Sequence, residues 1–249
     1  MSRASVPDVS RETPAVPPEA RRVFSHDRLA LAIEYAELLA TDGVTRGLIG
    51  PREPPRLWER HLLNCAVLGE IVPQGATLAD VGSGAGLPGL VLAIARPDLQ
   101  VTLVEPLLRR TRFLDEVVAR LGLNSQVSVV RGRAEDLADE TSFHIVTARA
   151  VAPLERLARW CLPLVSSGGE LIAMKGAGVE AEVTQAEADL RRLGSWPVSI
   201  VQLGTDVLAE PTWAVRLSRP ETGPVGWRDR ASNGAAPRGR RTRKQRRNL

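Results

Sequence analysis

The sequence predicts an α/β fold: a mostly parallel sheet covered on both faces, an antiparallel hairpin at one edge, and a helical cap ahead of the sheet. Three observations carry this. Short aliphatic and β-branched runs alternate with helix-period segments from residue 77 to residue 193. The first strand–helix junction, residues 77–89, reads T-L-A-D-V-G-S-G-A-G-L-P-G, a strand running into a glycine loop. Two closing strands, at 198–203 and 213–217, have no strong helical pattern between them, which suits an antiparallel pair.

Residues 1–22 are proline-rich and aperiodic, and are expected to be disordered. Ser25 can cap a helix whose apolar face is Leu29, Ala32, Ile33, Ala36 and Leu39, ending near Gly43. Residues 44–49 read as a link, and Pro51, Pro54 and Pro55 argue against regular structure there. A second helix starts near Arg56 or Leu57 and carries Leu62, Cys65, Ala66 and Gly69 at helical spacing. Residues 23–72 thus form a helical cap, and 73–219 the sheet domain. Within the latter, strands are expected at 77–81, 101–105, 127–131, 144–147 and 170–174, with helices from about 88, at 107–121, after 147 through Cys161, and at 179–193. Pro88 suits a first helical position, where a missing N–H costs nothing.

The glycine loop sets Gly82, Gly84 and Gly86 at alternate positions, then Gly89. Such a turn offers unpaired N–H groups and a positive helix end to a polar or anionic ligand. A dinucleotide site wants G-x-G-x-x-G, which Gly84, Gly86 and Gly89 supply. An S-adenosylmethionine site like that of the class I methyltransferases wants an acid, one residue, then G-x-G-x-G, and Asp80, Gly82, Gly84 and Gly86 fit that. A tight turn without a ligand is the third reading.

Ligands of such sheets bind beyond the carboxyl ends of the strands. The second strand ends in Glu105, whose carboxylate can accept both hydroxyls of a ribose, or simply cap a loop. After the third strand come Ala134, Glu135 and Asp136: an acid with backbone groups able to read an adenine edge, or a helix cap by Asp136. The fourth ends in Arg149, a planar cation with five donors that can hold a carboxylate, a phosphate or a base, or make a structural ion pair. No N/D-P-P-Y/F segment follows that strand, as exocyclic-amine methylation would want, and Cys161 falls inside a helix, unlike a pyrimidine-C5 nucleophile. Lys175, at the end of the fifth strand, can meet an RNA phosphate or be a plain exposed lysine.

Composition bounds the rest. Two cysteines, with no C-x-x-C, make neither a disulfide framework nor a cysteine-built zinc site, and a reducing cytoplasmic setting is expected. No apolar run approaches the length of a membrane span, and a secretory leader is not expected. The charge is uneven. Residues 228–249 hold nine Lys/Arg and one Asp, net +8, leaving 24 Lys/Arg against 28 Asp/Glu in residues 1–227. Basic tails of this kind meet nucleic acid or serve as solubilising ends.

Read together, Trp58-Glu59-Arg60-His61, L-A-D-V-G-S-G-A-G-L-P-G, R-R-T-R-F-L, G-R-A-E, V-T-A-R-A-V-A-P-L and M-K-G resemble the RsmG (GidB) family from about residue 29 to residue 217. The resemblance implies a class I S-adenosylmethionine-dependent methyltransferase fold preceded by helices. It implies methylation of guanine N7 in 16S ribosomal RNA near the decoding region, with naked RNA and a small-subunit particle both open as substrate. Apart from the resemblance, a monomer without metal is expected. The resemblance also implies that Gly82 and Leu87 line the cofactor, with Glu105 at the ribose, Ala134 and Glu135 near the adenine and Arg149 on the cofactor side. Arg60 and His61 look like the family's substrate-side motif, while Asn64 and Cys65 stand where members often carry Asp-Ser. An NAD-dependent oxidoreductase would explain Gly84, Gly86, Gly89 and Glu105 but not Asp80; a non-enzymatic RNA-binding module would not need the intact glycine loop.

The basic tail is expected to add RNA affinity without sequence choice. With about half of its basic groups on phosphates, ending the chain at Gly226 should flatten the log–log salt dependence of RNA binding by roughly 3–4 units. The methylated nucleotide should not change, because phosphate contacts position and do not specify. Equal slopes for the two chains across a salt series would make the tail a bystander.

Overall fold

The computed structural model describes residues 15–138 and 140–219; the first fourteen residues and the basic tail, residues 220–249, lie outside the described residues. A seven-stranded sheet comprises β1 (Thr77–Val81), β2 (Gln100–Val104), β3 (Val127–Val130), β4 (Phe143–Arg149), β5 (Val165–Lys175), β6 (Ser199–Leu203) and β7 (Thr212–Ser218), in the order β3-β2-β1-β4-β5-β7-β6. The β1–β5 pairs are parallel, and β7 lies antiparallel between β5 and β6. The reversal follows from the short 204–211 connection, which cannot make a parallel crossover.

The helices are α1 (Ala20–Val23), α2 (His26–Leu38), α3 (Asn64–Ala66), α4 (Gly89–Ala95), α5 (Leu108–Arg120), α6 (Ala134–Leu137), α7 (Leu154–Cys161) and α8 (Val179–Arg192). Successive strand residues serve opposite faces. Leu78, Leu103, Ile145 and Ile172 join the core under α2, α4 and α5, while Ala79, Val104, Val146 and Leu171 join the one under α7 and α8. The cap shares the first of these cores. Tyr35, Leu39, Leu57, Leu62 and Leu68 are all buried in it beside Leu90 and Phe113. At about 1.5–3 kcal/mol for each large apolar side chain buried, the cap is bound as part of the sheet domain.

Three local expectations are corrected. The chain is already helical at Ala20–Val23, inside the stretch expected to be disordered: Ala20 and Phe24 are buried, and the Phe24 ring meets Trp58 edge-on at 6.4 Å. Pro54 and Pro55 open a helical run instead of preventing one. They occupy a 3-10 turn, Pro54–Arg56, where no N–H is needed, and the run continues through π-helical Leu57–Leu63 and α3 to Glu70. Pro88 is the residue before α4, not its first. Strands β4 and β5 also extend beyond the expected spans. The β4–β5 register shifts between the Phe143–Val165 and Ile145–Glu170 pairs, a stretch of β5 that contains Gly168-Gly169, and a Cβ on Gly169 would clash with the His144 carbonyl oxygen.

Candidate cofactor and substrate site

The glycine loop is built from its surroundings inward. Gly82 and Ser83 donate their N–H groups to the Val104 carbonyl at 2.8 and 3.2 Å, which folds the loop back over β2. Gly82 has φ +72°, a conformation that side chains with a Cβ resist. Tyr35, fully buried in the cap, donates its hydroxyl to the Ala85 carbonyl at 2.7 Å, so a cap helix pins the loop from fifty residues away. Leu87 is buried behind it.

Asp80 braces this loop from beneath. One carboxylate oxygen, Oδ2, accepts from the Ser83 hydroxyl and from the Gly89 N–H, both at 2.9 Å, and so ties β1 to the start of α4. Its other oxygen, Oδ1, is buried without a partner. Burial outweighs the two hydrogen bonds and raises its pKa from 3.8 to about 6. A carboxyl whose folded pKa is raised holds its proton more tightly when folded, so its contribution is whole below pH 3.8 and is lost as pH rises through 6. The shift corresponds to about 3 kcal/mol. Relative to Asp80→Asn, the wild type should lose about that much unfolding free energy between pH 4 and pH 7. Parallel stability–pH curves from denaturant unfolding would contradict this.

Glu105 lies directly beyond β2 and is 1% exposed. Its Oε2 accepts the Gly84 N–H and its Oε1 the Leu107 N–H, each at 3.0 Å, while Arg110 approaches at 3.5 Å. The carboxylate is therefore anchored between the glycine loop and the start of α5. The Gly132 N–H reaches the Glu105 carbonyl at 3.3 Å, which brings the β3–α6 loop alongside. There Ala134 is buried and Glu135 exposed, and Asp136 accepts the Arg133 N–H at 3.0 Å from the third helical position instead of capping the helix itself.

Arg149 ends β4 and reaches the cap. Its Nη1 donates to the Arg60 carbonyl at 3.2 Å and its Nη2 stands 2.9 Å from His61 Nδ1. Among the described residues no carboxylate pairs with it, so the structural ion pair weighed from the sequence does not form. The residues expected on the cofactor side and on the substrate side are thus in direct contact. His61 Nε2 meets Glu53 Oε2 at 2.9 Å, and Arg60 Nη1 meets Glu53 Oε1 at 3.1 Å. Burial, with Arg149 beside it, holds the His61 pKa below its ordinary value despite Glu53.

Lys175 lines the cleft and is not the plain exposed lysine the sequence allowed. Its side chain is 11% exposed, and Nζ pairs with Glu182 at 2.7 Å, tying β5 to α8. Cys65 and Cys161 are both buried, and burial pushes the Cys65 thiol up to about 11, so neither is a poised nucleophile.

Arg60, His61 and Asn64 from the cap, Arg149 and Met174 from strand ends, and the β6–β7 connection enclose a cleft of about 1170 Å³. The chain just past Arg149 adjoins the glycine loop: a Cβ on Gly82 would lie 2.9 Å from Val151 Cγ2. Loop and cleft are therefore joined through residues 149–151, where Ala150 has φ +55°. Glu53, Tyr35, Val151 and the 205–213 wall were not singled out from the sequence. They contact the site through tertiary packing, and no local spacing marks them.

A glycine loop after β1, a buried acid beyond β2 and an antiparallel β7 inserted between β5 and β6 define the S-adenosylmethionine-dependent methyltransferase fold. A putative S-adenosylmethionine-dependent methyltransferase from Methanococcus maripaludis has the same fold, with a TM-score of 0.51 and 15% identity over 76% of this chain and 94% of that one. The chain belongs to the GidB family, described as rRNA small subunit methyltransferase G, whose model matches residues 28–208. Proteins named ribosomal RNA small subunit methyltransferase G from a Nocardioides strain and from Streptomyces coelicolor are 61% and 56% identical to it. The first match covers 88% of each chain, the second 94% of this chain and 98% of the relative.

Proposed function

We propose that this chain transfers the methyl group of S-adenosylmethionine to N7 of a guanine in the 16S ribosomal RNA, in the decoding-region hairpin, acting as a cytoplasmic monomer on the RNA or on a small-subunit particle. The observation that supports it best is the contact of Arg149, at the end of the strand beside the glycine loop, with the Arg60–His61 motif across the cleft. The residues fit the cofactor. The loop at Gly82, Gly84 and Gly86 carries no side chains, Glu105 presents a carboxylate beside the Gly84 N–H, and Asp80 has an orphaned buried oxygen. Glu105 would hold the ribose, Ala134 and Glu135 the adenine, and Gly82, Leu87 and Arg149 the methionyl end.

When bound, the cofactor supplies an electrophilic methyl group on sulfur. Guanine N7 has an in-plane lone pair and carries no proton, so no side chain need accept one. The task of the cleft residues is to orient the purine, and proximity and alignment supply most of the rate. An arginine bidentate to N7 and O6 would occupy the nucleophile, so Arg149 and Arg60 serve O6, a phosphate or the cofactor. An NAD-dependent oxidoreductase would have an all-parallel 3-2-1-4-5-6 sheet, which the antiparallel β7 opposes.

The test joins binding to product mapping. Small-subunit RNA from a strain lacking the protein should gain one N7-methylguanine, located by borohydride–aniline cleavage, and equilibrium dialysis should detect S-adenosylhomocysteine but not NAD. Binding of NAD alone would select the oxidoreductase, and binding of neither a non-enzymatic RNA-binding module.

A further inference from the structure

Glu53 lies in the proline-flanked segment ahead of the cap's second helical run, outside the segments that carry the family resemblance. It is nonetheless the hub of a closed ring of hydrogen bonds. Oε1 accepts from Arg60 Nη1 at 3.1 Å, and Oε2 meets His61 Nε2 at 2.9 Å. His61 Nδ1 meets Arg149 Nη2 at 2.9 Å, and Arg149 Nη1 returns to the Arg60 carbonyl at 3.2 Å. The Glu53 and His61 side chains are 25% and 15% exposed.

Proton inventory fixes the directions. A guanidinium only donates, so His61 Nδ1 must accept from Arg149. In the neutral ring Nε2 then carries the proton and donates to Glu53. The other tautomer would set Nδ1–H against the Arg149 N–H and leave Glu53 facing a lone pair. A doubly protonated ring would also oppose donor to donor at Arg149. Glu53 and Arg149 thus favour the same tautomer from opposite ring nitrogens, and Glu53 supplies the half that holds the ring ready when Arg149 moves, much as an outer carboxylate fixes a metal-bound histidine.

We propose that Glu53 is a positioning residue for methyl transfer: by holding His61 in the Nε2–H tautomer it fixes Arg149 and Arg60 at the wall of the cleft. The inference rests on the methyl-transfer reading above. A merely structural Glu53 would amount to a partly exposed ion pair with Arg60, whose side chain is 57% exposed, and such pairs contribute little. The positioning role acts on the reacting geometry instead, where small displacements cost large factors in rate.

The experiment uses the full chain with Glu53→Ala and Glu53→Gln. Long-range proton–nitrogen correlation spectra report the tautomer, and His61 is assigned among the three histidines by comparison with His61→Gln. The wild type should show Nε2–H, and Glu53→Ala a mixture of tautomers. Glu53→Ala should lower kcat on small-subunit RNA by about 10–100-fold, whereas S-adenosylhomocysteine, whose methionyl end Arg149 would only partly hold beside Gly82, Leu87 and Glu105, should weaken by about threefold at most. Glu53→Gln, whose amide oxygen can still accept from Nε2 while its NH2 turns to the exposed Arg60 and loses that partner, should retain the tautomer and more of kcat than Glu53→Ala. Should Glu53→Ala not fold, Glu53→Asp, too short to span both partners, takes its place. A variant with unchanged kcat, cofactor affinity falling in step with kcat, or a Glu53→Gln as impaired as Glu53→Ala would each overturn the role. A wild type inactive on small-subunit RNA would overturn the methyl-transfer reading and this role with it, whereas an active wild type with an unaffected Glu53→Ala overturns this role alone.

Discussion

Gly82→Val is expected to fold and to bind S-adenosylhomocysteine about 100-fold or more weakly than the wild type, a loss of about 2.7 kcal/mol. Two effects separate here. Gly82 has φ +72°, and forcing a β-branched residue into that region costs about 1–3 kcal/mol. That is tolerable against the roughly 5–15 kcal/mol that stabilises a domain. The new Cβ would stand 2.9 Å from Val151 Cγ2, but Val151 is 37% exposed and can swing aside. The fold thus yields at a movable side chain. The loop does not: its bare backbone becomes covered by two methyl groups where a ligand must approach. Calorimetric titration on a variant with a wild-type circular dichroism spectrum measures the effect. Unchanged affinity in a folded variant would show that the ligand does not approach the loop at Gly82.

The sheet was legible because burial on both faces leaves a simple signature. Strands β1, β2 and β3 are short aliphatic runs set off by turn residues, and their spans agree with the sequence reading to within a residue at either end. The antiparallel edge was legible as an absence, since residues 204–211 carry no helical pattern. Where the reading fell short, a local rule met a tertiary one. Proline argued against structure at 54–55, yet the first turn of a helix asks nothing of its N–H groups. Ala20–Val23 has no periodicity long enough to read, and it is helical in a setting where Phe24 docks on Trp58.

The candidate site divides in the same way. Gly82, Gly84, Gly86 and Glu105 could be found because their spacing along one strand–loop–helix unit is itself the geometry, and the 3.0 Å contact of Gly84 with Glu105 joins neighbouring strand ends. Arg149 could be placed at a strand end, but not its orientation, because the partner that turns it toward the cap lies 88 residues earlier at His61. Lys175 is a different case: Glu182, its partner, stands only seven residues on in α8, and it is the turn from β5 into that helix, which spacing does not report, that brings the two together.

Gly89 separates a glycine needed for packing from one needed for a ligand. Its φ is ordinary, so no backbone strain is at issue, but a Cβ there would lie 2.6 Å from both Asp80 Cβ and Leu103 Cδ2 and 2.8 Å from Asp80 Oδ2. These atoms belong to fully buried side chains of the neighbouring strands β1 and β2 and cannot swing aside as Val151 can. Gly89→Val therefore has to push α4 away from the sheet. Overpacking of this kind costs about 1–3 kcal/mol. The shift also breaks the 2.9 Å bond from the Gly89 N–H to Asp80, and a lost hydrogen bond to a charged group adds about 1.5–3 kcal/mol. The combined loss, about 3–6 kcal/mol, approaches the whole stability of a domain. In a chain of this length it lowers Tm by about 10–20 °C. Thermal and denaturant unfolding of Gly82→Val and Gly89→Val side by side should give opposite rankings: the first stable and unable to bind cofactor, the second unstable before binding is asked. A Gly89→Val chain that melts within a few degrees of wild type would mean that α4 is not held against β1 by this contact, and the brace assigned to Asp80 would fall with it.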